Sequence, residues 1–134
     1  LHLSEIFQKG LLKIYDGFYK NDASLFEQGL IETKLLNLNW DKASQDDLKN
    51  LFLTHFAHGK NGPIKFSMFQ LQESFRIIFE FFVKMKQPLE KDFFLMGLMI
   101  ITLYEHLQHL DVEIDVKNVY LNATSTNSEI ARNL

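Results

Sequence analysis

The chain has 134 residues, 46% hydrophobic and 23% charged, with a formal net charge of −3, no cysteine and thirteen phenylalanines. Such a length fits a single domain, residues 1–134, able to bury roughly two-thirds of its unfolded surface, and the ordinary apolar fraction excludes disorder for its bulk. Interspersed charges leave no basic stripe for phosphate contacts, which argues against direct nucleic-acid binding, and the missing cysteines exclude disulfides, thiolate metal sites and a cysteine nucleophile. An intracellular, reducing compartment is the expectation from the lack of cysteine and of a basic-then-apolar signal segment. The start at Leu1 rather than methionine leads us to expect a piece of a longer product.

Leu3, Ile6, Phe7, Leu11, Ile14, Tyr15 and Phe18 recur at spacings of three and four, which predicts a first helix over 3–18. Gly10 and Gly17 lie inside it and mark either a close helix crossing or a break. The polar punctuation of 21–24 follows, and Ser24 with Glu27 has the capping-box spacing that opens a second helix toward residue 38. Ser44 with Asp47 repeats that spacing, ahead of Leu48, Leu51, Phe52, His55 and Phe56 on one helical face. This third helix is expected to stop at Gly59, where Gly59-Lys60-Asn61-Gly62-Pro63 combines a cap, a turn and a proline.

Ile64, Phe66 and Met68 suggest a short extended piece before a fourth helix over 67–86. On that helix Glu73, Arg76, Glu80 and Lys84 form one narrow stripe of alternating sign, leaving the rest of the circumference apolar. Pro88 separates it from a fifth helix over 89–110, in which Glu90 and Asp92 complement the N-terminus. The apolar run 93–103 is interrupted by Gly97 and Thr102 and is about half the length that spans a bilayer, so it reads as a buried helix and no membrane span is expected. Beyond Asp111, Val112, Ile114 and Val116 alternate with charged residues, which predicts a partly extended segment and a loose tail over 111–134. A terminal helical turn over 130–134 is expected behind Ser128.

Eight of the thirteen phenylalanines fall between Phe66 and Phe94. The fold class expected is therefore all-α: a compact bundle or orthogonal array of five to six helices around a central, nearly all-apolar pair, the fourth and fifth helices.

Two His-x-x-His spacings, His55 with His58 and His106 with His109, are candidates for a metal site, with Glu105 and Asp111 near in sequence. Helical phase puts His55 and His106 on apolar faces and His109 on the polar side, and the Glu-x-x-His pattern of helical di-iron sites is absent. Gly59-Lys60-Asn61-Gly62 lacks the spacing of a nucleotide-binding loop, the window from Asp41 lacks the ligands of a calcium loop, and no Gly-x-Ser-x-Gly marks a catalytic serine. Asn122-Ala123-Thr124 matches an N-glycosylation acceptor with no secretory feature beside it. What remains is a non-enzymatic binding module without a cofactor. Phe75, Phe79, Phe82, Phe94 and Met99 are the candidate contacts for another protein, for self-association or for a hydrophobic small molecule. A metal-binding protein or enzyme built on the histidines is the alternative.

The stretches 79–86 and 89–95 with the apolar run behind them, and Asp46-Asp47-Leu48-Lys49-Asn50-Leu51-Phe52 upstream, resemble the middle helices of nuclear-receptor ligand-binding domains. The resemblance covers under half the chain, without the C-terminal helices that complete that family's coactivator groove. It implies a lipophilic ligand pocket and a transcriptional role, and it carries over no individual residue.

Overall fold

Ser4 ends the extended N-terminus by accepting a hydrogen bond from the Phe7 amide, and helix α1 runs from there over Glu5–Tyr19. The Ser4 hydroxyl also donates to the Asp92 carboxylate at 2.7 Å, a link across 88 residues. In the computed structural model, which describes residues 2–55 and 63–132 (126–132 as backbone alone), five more α-helices and two short strands follow. They are α2 (Ala23–Glu32), α3 (Lys42–His55), β1 (Ile64–Lys65), α4 (Met68–Lys84), α5 (Lys91–Leu110), β2 (Glu113–Ile114) and α6 (Val116–Arg132). The protein is all-α, as the periodicity led us to expect.

The closest packing joins α1 to α2, and glycine makes it possible. A Cβ at Gly17 would lie 2.4 Å from the Phe26 backbone nitrogen, and one at Gly29 would lie 2.6 Å from the Gly10 carbonyl oxygen. Of the two readings of Gly10 and Gly17, the structure takes the close crossing, with α1 unbroken through both. Thr33, buried at the end of α2, satisfies its hydroxyl by donating to the Gly29 carbonyl at 2.8 Å.

The core is drawn from five helices and the loop behind α2: Phe7 and Ile14, Phe26 and Leu30, Leu35 and Leu36, Leu48 and Phe52, Ile78 and Phe82, and Phe93. Its weight therefore lies toward α1–α3 rather than in the fourth and fifth helices. On α5 only Phe93 and Gly97 are buried, although the helix is apolar along most of its length. The expectation of a buried fifth helix is corrected: apolar composition marks an interior only where neighbouring elements cover every face, and here they cover one.

Several boundaries also differ. Asp22, not Ser24, caps α2 by accepting from the Leu25 amide at 3.0 Å, and Asp41, not Ser44, caps α3 by accepting from the Ser44 amide at 2.8 Å. In each case an aspartate two or three residues upstream reaches the free amides first. Ser67 caps α4 by accepting from the Gln70 amide. Phe56, His58 and the stop at Gly59 lie outside the described residues, as does the end of the terminal turn beyond residue 132.

The segment after Asp111 is mostly helical rather than extended or loose. Its alternation survives as β2, which pairs antiparallel with β1 in the register Ile64–Ile114 and Lys65–Glu113. Helix α6 then docks on α1 through Tyr120, whose ring stacks on Tyr15 at 5.9 Å and lies 5.0 Å from Tyr19, and whose hydroxyl donates to Asp16. Asn122 and Thr124 of the glycosylation-like triplet sit within this helix.

Candidate functional site: an apolar face on α4 and α5

The phase of α4 sorts its side chains into three rows. Leu71, Ile78 and Phe82 point into the core, while Arg76, Glu80 and Lys84 point away from it. Between those rows run Phe75, Phe79 and Val83. These face α5 across an open trough of about 700 Å³, floored by Ile101 and edged by Gln72, Arg76, Glu80 and Lys84.

Aromatic rings build the trough's wall. Phe79 stacks on Phe75 at 6.1 Å and on Phe94 at 5.9 Å, and Phe93 meets Phe75 and Phe79 edge-on at 6.5 and 6.2 Å. Offset stacks and edge-to-face pairs at these separations each add about 0.5–1.5 kcal/mol beyond the area they bury. This ring cluster stays half open to solvent: Phe93 is 1% exposed but its neighbour Phe94 is 50% exposed.

From Phe94 the apolar surface runs to Leu98 and across the trough to Val83 at 78%, and it wraps the outward half of α5 to Met99 and Leu103, about 140° and 180° round the helix from Phe94; Leu98, Met99 and Leu103 are each more than half exposed. Together these side chains present on the order of 500 Å², the upper end of what monomers carry and the range where such patches mark binding faces. Glu105, His106, Gln108 and His109 make the last turns of α5 polar and exposed. The helix as a whole, Lys91–Leu110, is longer than the run 93–103 and is by length and composition apolar enough to cross a membrane, a test that core helices of soluble proteins also pass.

Of the five candidate contacts, Phe75, Phe79 and Phe94 come together in the ring cluster. Met99 is exposed on the same helix as Phe94 but about 140° further round it. Phe82 is corrected: it is 2% exposed and packs in the core against Trp40 and Phe81, because it shares the helical phase of Leu71 and Ile78. Val83, Leu98 and Leu103 were not singled out from the chain, since periodicity records that a face is apolar and not whether another element covers it.

The charged stripe of α4 is present as expected. Arg76 donates to Glu73 at 2.8 Å and to Glu80 at 2.6 Å. Those bonds push the guanidinium pKa up, Glu73 contributing most, and the same contact holds the Glu73 carboxyl below its usual range.

A second concavity lies beneath Phe75. It is half open, of about 210 Å³, and bounded by Ile14, Phe52, Ile78, Phe93, Met96 and Ile100 among others. Its polar groups are His55, whose Nδ1 lies 3.0 Å from the Ser74 hydroxyl, and the phenols of Tyr15, Tyr19 and Tyr104. Burial pushes all three phenols up, Tyr19 and Tyr104 to about 12.

The histidines are dispersed. His55 is half-buried beside Ser74 on α3, whereas His106 and His109 are exposed on α5 and Asp111 pairs with Lys65 at 2.7 Å. His106 is exposed, so the apolar face that its helical phase shares with Leu103 and Leu110 is an outward one. Among the described residues no three His, Asp or Glu side chains are grouped to hold a metal ion, and His58 lies outside them.

The chain matches no family model, no curated protein and no solved structure. The likeness to nuclear-receptor ligand-binding domains thus rests on the residues quoted for it alone.

Proposed function

We propose that the protein is a non-enzymatic helical binding module that engages another protein through the α4–α5 face. The observation that carries this reading is the outward face of α5, where Phe94, Leu98, Met99 and Leu103 remain more than or about half exposed. Burying apolar surface yields roughly 25 cal/mol per Å², so a face of on the order of 500 Å² left in water forgoes about 12 kcal/mol that a partner recovers in part. Rings already ordered by stacking lose little further freedom on docking, as suits anchor residues at an interface.

The experiment places a photoreactive benzophenone amino acid at position 98, with position 50 on α3 as the exposed control, in cells producing the protein. A protein adduct of one defined mass at 98 and not at 50 is the expected result. Lipid adducts at 98 would overturn the reading in favour of a membrane surface, and equal labelling at both positions would overturn it outright.

A second reading, a small lipophilic ligand, is favoured by the cavity beneath Phe75. At about 210 Å³ it lies below the usual range of ligand sites, ~300–1,000 Å³, and suits an occupant near the size of a substituted benzene. Native mass spectrometry of the purified chain tests this: a bound mass lost on Phe75→Trp supports it, and a bare chain under saturating small aromatics sinks it.

A further inference from the structure

We propose that the partner of the α4–α5 face is a second copy of this chain, docked with its α4 antiparallel about a two-fold axis at Phe79. The inference rests on the binding-module reading above and names its partner.

Two rows on α4 carry it. Along the stripe the signs are minus at Glu73, plus at Arg76, minus at Glu80 and plus at Lys84. Laid against itself in reverse, this row sets Glu73 opposite Lys84 and Arg76 opposite Glu80, so all four steps meet an opposite charge. Laid parallel in register, every step meets its like. The apolar row in the trough has nearly the same centre: the charged pairs reverse between positions 78 and 79 and the apolar row at 79, an offset of at most about 1.5 Å along the helix, so Phe79 meets its own copy and Phe75 meets Val83. A two-fold interface requires this self-complementarity, because residue i meets j wherever j meets i.

The division of labour follows from magnitudes. Exposed ion pairs contribute little affinity, while like charges juxtaposed at an interface are costly, so the stripe selects orientation and register. Affinity comes from covering Phe79, Val83, Phe94 and Leu98. The apolar surface of these residues, on the order of 350 Å², falls short of the ~800 Å² per partner of standard interfaces even with its charged edge, as suits a dimer that dissociates on dilution. Arg76 reaches both of its own carboxylates on the free surface, which keeps the stripe extended, and such exposed pairs exchange cheaply for ones across the axis.

The test is sedimentation of the full chain from micromolar to several hundred micromolar, with Arg76→Glu and Glu80→Arg as variants and circular dichroism as the folding check. The expected result is a dissociating wild-type dimer, weakened at least about tenfold by either variant alone and restored in an equal mixture. In the mixture, Glu at 76 of one copy faces Arg at 80 of the other, and the native Arg76–Glu80 pair is kept on the far side of the axis. Raising salt shrinks the difference between variants and mixture. A chain monomeric throughout overturns self-association, while a hetero-protein adduct at position 98 then leaves the binding-module reading standing. A dimer indifferent to both variants, or variants that the mixture fails to rescue, overturns the antiparallel register.

Discussion

Single atoms decide what each glycine is worth. Gly17→Ala would drive a methyl into the Phe26 backbone at 2.4 Å, and backbone in a helix cannot yield, so a loss of at least about 2 kcal/mol is expected in urea unfolding. Gly97→Ala would meet only the far edge of Phe75 at 3.7 Å, ordinary contact, and should gain about 0.5–1 kcal/mol because alanine favours the helix. Both glycines lie inside apolar helical patterns, and the chain alone does not separate them. The tyrosines carry a second residue-scale expectation. With Tyr19 and Tyr104 raised to about 12, the folded state holds phenol protons that the unfolded chain releases near its ordinary 10.0. Their contribution to stability is therefore complete below pH 10 and is lost as pH rises toward 12. Near-ultraviolet absorbance should titrate later in the folded protein than in urea, and coincident curves would contradict the buried cluster.

Among elements, the helix ends hold most of the departures from expectation. Asn21, Lys34, Lys86 and Asp111 follow α1, α2, α4 and α5 in the left-handed region, φ 52° to 60°, where glycine is usual. Because none is glycine, the helix stops have to be read from polar clusters and Pro88 instead: α1, α4 and α5 end within two residues of expectation, whereas α2 stops at Glu32, six residues before the expected 38. The left-handed conformation costs an L-residue roughly 1–2 kcal/mol, so Lys86→Gly should stabilise by about 0.5–1 kcal/mol after glycine's greater entropy loss. A thermal midpoint unchanged or lowered in that variant would count against the assigned stop. Helix starts were legible as a kind rather than as a residue: the capping-box spacing was there, but an upstream aspartate did the capping. Asp22→Ala is accordingly expected to cost about 1 kcal/mol and Ser24→Ala less than half of that, compared by chemical denaturation.

At the scale of the whole molecule, adjacent phenylalanines have opposite roles. Phe93→Ala should cost about 3–5 kcal/mol, because the ring is 1% exposed and its loss leaves a cavity in the core. Leu98→Glu, on the outward face of the same helix, should leave the monomer within about 0.5 kcal/mol of wild type, measured by unfolding at a concentration where any dimer has dissociated. A large loss at Leu98 would mean that α5 packs inward and would remove the apolar face. The ring cluster of Phe75, Phe79 and Phe94 was legible in the chain, since spacing alone sets Phe75 and Phe79 on one stripe of α4. Its exposure was not, and neither was the docking of α6 on α1 through Tyr120, which joins residues 104 positions apart.

The amino-acid sequence by itself determined the first five helices, their order, the charged stripe of α4 and the all-α class, but not α6, where the alternation beyond Asp111 points to an extended, loose segment. These follow from periodicities of three to four residues and from local caps, which act over a single turn. Only the tertiary structure decided which apolar faces are interior. Phe82 turned inward, α5 kept an uncovered side, and the α1–α2 crossing, rather than the phenylalanine-rich middle, became the tightest contact. The physical reason is that burial belongs to pairs of surfaces: a stripe's hydrophobicity is written along one helix, but its covering depends on glycines and rings that meet it from distant parts of the chain.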